Sequence, residues 1–108
     1  MSPIKETANI LAPEILAVVE KLIPMLKPHA IYLYNHRVGA SGESTAFKLC
    51  VVAPMEDKQE VEQYAYLEID SEIPFDLLLY TPEEWQHLTY RDSSFAHRIQ
   101  QTGTKLYG

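Results

Sequence analysis

Ile73-Pro74-Phe75-Asp76-Leu77-Leu78-Leu79-Tyr80-Thr81-Pro82-Glu83-Glu84-Trp85 contains a strand, a turn and the start of a helix in one short stretch. Ile73 to Tyr80 is almost continuous apolar sequence, broken only by Asp76, a pattern expected of a strand covered on both faces. Thr81 then offers a hydroxyl at the N-cap, Pro82 suits the first helical position, and Glu84 stands where a side chain can reach back to the cap N–H. A capping box and a helix from Pro82 to about Thr89 follow.

Downstream, Ser93 or Ser94 can cap a last helix carrying Phe95 and Ile99, Gly103 suits its stop, and Thr104 to Tyr107 fits a short edge strand. Upstream, Thr45 to Ala53 and Ala30 to Tyr34 are rich in β-branched and aromatic residues and are expected to be strands. Between those two strands, Val38 to Ser44 has the Gly and Ser content of a loop. Lys58 to Ile69 is ambiguous, but Val61, Tyr64, Ala65 and Glu68 favour a helix. From Pro13 to Leu26, apolar residues at Ile15, Val18, Val19, Leu22, Ile23 and Leu26 recur at helical spacing, with Pro24 expected to kink or shorten the last turn. The order is helix, strand, loop, strand, helix, strand, helix, helix. This predicts a small mixed α/β (α+β) domain, its helices packed against one β-sheet.

The composition is consistent with that reading. At 108 residues, 46% of them apolar and 22% charged, the chain has room for one globular domain over 1–108. Nine basic against fifteen acidic residues give a formal charge of -6, which argues against a general nucleic-acid coat or binding to an anionic membrane. No apolar run approaches the roughly 20 residues that span a bilayer, and Met1 to Thr7 lacks the features of a secretory signal. One cysteine excludes an internal disulfide framework, and the expected compartment is cytoplasmic.

Alternation along the second strand sets Ala46, Lys48, Cys50 and Val52 on one face, and alternation along the third sets Asp76, Leu78 and Tyr80 on one face. Lys48 and Asp76 are thus each the one ionisable residue in an apolar run. Buried charges are costly unless paired, hydrated or tuned for function, which makes Asp76 the first residue to ask about. The other polar residues carry weaker signals. His29, His36, His87 and His97 lack the spacing of metal ligands, Cys50 reads as core, and Glu56, Asp57, Glu60 and Glu62 read as a solvated acidic stretch. The tyrosines are spread over several elements and read mainly as packing, with any exposed subset available to a partner.

From roughly His29 to Gly108 the chain resembles the minimal nucleotidyltransferases of the DNA polymerase beta superfamily. The resemblance is carried by Ile73 to Trp85, then by Ser94-Phe95, Gly103 and Leu106-Tyr107. Active members carry Gly-Ser at a strand end, Asp-x-Asp on the next strand and a third carboxylate beside it; the carboxylates hold Mg²⁺ against the nucleotide phosphates. Here Asn35-His36 stands in place of Gly-Ser, with Arg37 after it, and Ala46 and Lys48 replace both aspartates. Asp76 alone is retained.

The resemblance therefore implies a degenerate enzyme with no catalytic residues, no metal and no expected cofactor; Mg²⁺ and ATP would enter only if this reading failed. Any nucleotide would be contacted by Asn35, His36, Arg37, Lys48 and Asp76. We expect Lys48 to take the place of the metal and pair with Asp76. A buried pair of that kind costs about 3–5 kcal/mol to break, an exposed one about 1 kcal/mol or less. The resemblance also implies a role in binding, to a HEPN-type helical protein in a toxin-antitoxin-like module or to a second copy of the chain. The alternatives are a metal-independent nucleotide sensor, and an active transferase that uses Asp76 with Glu43 or Asp70.

Overall fold

A computed structural model describes residues 12–108. Pro13 opens α1 (Pro13–Leu26), where its missing N–H leaves no helical bond unmade. The apolar stripe faces inward as its spacing predicts: Ile15, Val18, Val19 and Leu22 are buried, and Ile23 and Leu26 pack partly against the same core. The helix ends within a turn of Pro24. Lys27 closes it in a left-handed conformation (φ 49°), its N–H making the last helical bond, to the Ile23 carbonyl.

β1 (Ala30–Val38), β2 (Ser44–Val52), β3 (Phe75–Tyr80) and β4 (Thr104–Tyr107) form one sheet in the order β3-β2-β1-β4. β1 runs antiparallel to both β2 and β4, while β2 and β3 are parallel. A parallel pair cannot be joined by a tight turn; α2 (Lys58–Glu68), capped by the Asp57 side chain, makes the crossover. α3 (Pro82–Thr89) and α4 (Phe95–Thr102) follow β3.

The sheet has two covered faces and so two apolar clusters. On one, Ile31, Leu33, Phe47, Leu49, Val51, Leu77, Leu79 and Leu106 meet α1 and Ala65 of α2. On the other, Ala30, Tyr32, Cys50 and Val52 meet Ile99 of α4, with Tyr34, Leu78, Tyr80 and Trp85 around them. Tyr32 and Tyr80 each lie against Trp85, with ring centroids 5.2 and 5.5 Å apart.

The capping box at α3 has the expected form. The Glu84 N–H donates to Thr81 Oγ1 and the Thr81 N–H donates to Glu84 Oε1. Ser94, rather than Ser93, caps α4. Gly103 ends α4 with an ordinary negative φ. Its lack of a side chain matters because a Cβ there would lie 2.7 Å from the Ile99 carbonyl and 3.2 Å from that of Leu33.

Two sequence expectations need correction. β1 does not stop at Tyr34 but continues to Val38, so Asn35, His36 and Arg37 are strand residues; the Val38 to Ser44 loop shrinks to a tight turn with Gly42 at φ 86°. β3 begins at Phe75 rather than Ile73, and it is not covered on both faces along its whole length, because Asp76 is exposed. α3 and α4 reach only the half of their face that carries Cys50, Val52 and Leu78.

Candidate functional site

The uncovered half of that sheet face holds the residues singled out above. The register pairs Asn35 with Lys48, Arg37 with Ala46, and Lys48 with Asp76. Paired residues on neighbouring strands point to the same side of a sheet, so all five share one face. They line a depression of about 50 Å³, with Pro74 and the Phe47 backbone at its side.

A β-bulge creates this alignment. Leu33 pairs with Leu49, yet Asn35 pairs with Lys48, so Tyr34 is an extra residue in β1. Without it, alternation would carry Asn35 and Arg37 to the α1 face. Tyr34 fills the border between the apolar and charged halves, edge-on to Phe95 at a centroid distance of 5.6 Å. Burial, followed by the negative charge available at Cys50 and Asp76, pushes its hydroxyl up to about 12.

His36 does not join this group. It pairs with Phe47, faces the other way, and lies 2.7 Å from Ser44 Oγ through its Nε2. The set of Asn35, His36 and Arg37 inferred from the resemblance is thus split, with Asn35 and Arg37 on the open face and His36 on the opposite one.

The expected buried pair of Lys48 and Asp76 is also corrected. The two are register partners, but both are exposed, and the ion pair among the described residues joins Lys58 and Glu84. At the open end of the sheet water solvates each charge, so neither needs the other in order to fold. Lys58 Nζ lies 2.7 Å from Glu84 Oε1 and 5.6 Å from the Tyr80 ring centre, tying the start of α2 to the start of α3. The Lys58 contact, followed by the Thr81 N–H, holds the Glu84 carboxyl below the usual carboxylate range.

The donor set at the depression does not suit a divalent cation. Asp76 is its one carboxylate, with the cations Lys48 and Arg37 around it. Among the described residues no group of three or more His, Cys, Asp or Glu side chains converges on a point where a metal could sit. Glu43, packed at Gly39 in the β1–β2 turn, and Asp70, at the end of α2, are outside the lining. Cys50 lies under α3 and α4, fully buried, and burial pushes its thiol up to about 12. It is a core side chain, as expected.

Residues not anticipated from the sequence are Tyr34 and Phe95, whose edge-on contact borders the open face, and Tyr66, whose hydroxyl accepts the Leu77 N–H at 2.8 Å and so covers the outer edge of β3 next to Asp76. Alternation alone points to Tyr34, but no spacing rule leads to the other two. No helix among the described residues is long and apolar enough to cross a membrane. Comparisons with protein-family models, curated proteins and solved structures find no match to this chain.

Proposed function

We propose that this chain is a catalytically degenerate, nucleotidyltransferase-like protein that acts by binding a protein partner, a HEPN-type helical protein in a toxin-antitoxin-like module. The observation that carries the reading is the make-up of the open sheet face. Ala46 and Lys48 occupy positions on β2 from which carboxylates would face the Asp76 side of β3, and one of the two is a cation. A site of that sign repels Mg²⁺ rather than binding it. The fold adds support through its mixed sheet with helices on both faces.

A metal-independent nucleotide sensor is the second reading, favoured by Arg37 and Lys48 lining the same depression as Asn35. Its size counts against it: 50 Å³ is far below the roughly 300–1,000 Å³ of pockets that enclose a drug-sized ligand. A single anionic group fits there, but an enclosed nucleotide does not.

The test has two arms. Incubation with Mg²⁺ and labelled ATP should give no transfer of label to the chain or to a co-expressed HEPN-type helical protein, and that protein should co-elute with the chain in size-exclusion chromatography. Mg²⁺-dependent labelling lost in Asp76→Asn would overturn the reading. Chelator-insensitive ATP binding lost in Arg37→Ala, with no co-elution, would favour the sensor.

A further inference from the structure

α2 is the helix with the least of its apolar surface accounted for. Tyr64 is 52% exposed and Leu67 81% exposed, neighbours at i and i+3 that no described residue covers. Tyr64 forms the floor of two adjoining depressions, of about 380 and 560 Å³, which share Met25 and Tyr64 and make one trough between the C-terminal half of α1 and α2. Pro24, Met25, Leu26 and Val61 continue the apolar floor. Its rim carries Glu20, Glu56, Asp57, Glu60 and Glu68 against one base, Lys21.

We propose that this trough docks a cationic amphipathic helix of a partner protein, a surface separate from the depression around Asp76. The inference rests on the reading that the chain acts by binding a protein, and it assigns the surface. Both walls are helices, whose interior N–H and C=O groups are already paired. An extended segment would therefore find no backbone partners here, whereas a helix brings its own bonds satisfied. Three turns of such a helix span about 16 Å, the length of α2 itself. Its apolar stripe would cover Met25, Val61 and Tyr64 in the trough and extend over Leu67, one turn along α2 from Tyr64, and Lys or Arg on its flanks would meet the acidic rim. Charge complementarity selects this occupant over a second copy of the chain, which carries the same acids on the same face.

Fluorescence anisotropy with two labelled peptides tests the proposal: a Leu/Lys peptide of roughly 16 residues patterned for one apolar helical face, and a scramble of the same composition. The patterned peptide is expected to bind at least about tenfold more tightly than the scramble. Glu60→Lys/Glu68→Lys and Tyr64→Ala/Leu67→Ala should each weaken binding about tenfold or more. Glu72→Lys/Glu83→Lys, the same charge change outside the trough, should retain most of it, with circular dichroism showing all variants folded. Equal binding of the two peptides, or equal loss in the trough and control variants, would overturn the proposal, leaving only the general acidic field. Self-association of the unaltered chain that Glu60→Lys/Glu68→Lys abolishes would also overturn it, by giving the trough to a second copy. Nucleotide transfer by the chain would remove the reading underneath while leaving the peptide result intact, so the two failures can be told apart.

Discussion

Ala46→Asp/Lys48→Asp asks whether the open sheet face has the geometry of a metal site from which the ligands have been lost. Positions 46 and 48 lie two residues apart on β2, about 7 Å along the strand, and position 48 sits beside Asp76 across a strand spacing of about 4.8 Å. Three carboxylates so placed can reach one divalent ion at about 2.0–2.6 Å. Without metal, the new carboxylates repel one another and Asp76, and the variant should melt below the unaltered chain. The positions are at most half-buried, so that loss is about 1 kcal/mol. With Mn²⁺ at about 10 mM and a Kd of about 0.1–1 mM, as for weak protein sites of this ligand type, linkage stabilises the folded state by about 1.4–2.7 kcal/mol. For a domain of this size that raises Tm by about 6–11 °C. Differential scanning fluorimetry with and without Mn²⁺ reads the shift directly. Neither the unaltered chain nor the double variant that also carries Asp76→Asn should show it. A variant that folds yet shows no metal-dependent shift, or keeps the shift without Asp76, would mean that the three positions do not converge, and the degenerate-site reading would fail with them.

Other outcomes follow from the same geometry. Lys48→Ala and Asp76→Asn should each change stability in urea unfolding by less than about 1 kcal/mol, because both side chains are exposed; a loss of about 3 kcal/mol would reinstate a tight pair. Thr81→Ala removes the cap hydroxyl of α3 and should cost about 0.5–2 kcal/mol, seen as a lower urea midpoint at unchanged slope. Phe47→Ala, at a side chain that is 2% exposed and stacked on Phe75, should cost about 3–5 kcal/mol in the same assay. Cys50 titrates higher in the fold, about 12 against an ordinary 9.0, so the folded state holds a proton that the unfolded chain loses. Stability should then decline as pH rises from about 9 towards 12, less steeply in Cys50→Ala; an unchanged slope in that variant would show the thiol is not the source.

Much of the fold was legible because its signals are local. Pro13, the Thr81–Glu84 capping box and Ser94 act over three or four residues, and the helices they start lie where the spacing puts them. The pairing of Lys48 with Asp76 in register was legible too, since period-two alternation fixes which residues share a face once two strands are neighbours. Exposure was not legible. Leu77, Leu78, Leu79 and Tyr80 make β3 look covered throughout, yet coverage depends on how far α3 and α4 extend over the sheet, and their eight residues each leave Asp76 beyond their reach.

The fate of His36 shows how much one residue can decide. Strict alternation from Tyr32 would put Tyr34 and His36 on the α3/α4 face and turn Asn35 and Arg37 to the α1 face, where a guanidinium would be set towards Phe47 and the apolar core. Inserting Tyr34 as a bulge shifts Asn35, His36 and Arg37 by one and reverses that outcome, until a second irregularity at Val38 restores the register. Hydration supplies the energy: Tyr34 packs against Phe95 and the cluster around Cys50 in either register, while Arg37 and Asn35 gain water on the open face only in the bulged one. The bulge thus follows from the hydration of one arginine, with Tyr34 keeping its packed place as the extra residue. It also determines that Arg37 joins Lys48 of β2 in the candidate site, with His36 turned away. A chain with an apolar side chain in place of Arg37 would have less reason to keep the bulge, so Arg37→Val should disturb the Asn35 and Lys48 resonances together in an NMR spectrum. Perturbation confined to position 37 and its register partner Ala46 would mean that the turn at Val38 to Ser44, rather than Arg37, sets the register.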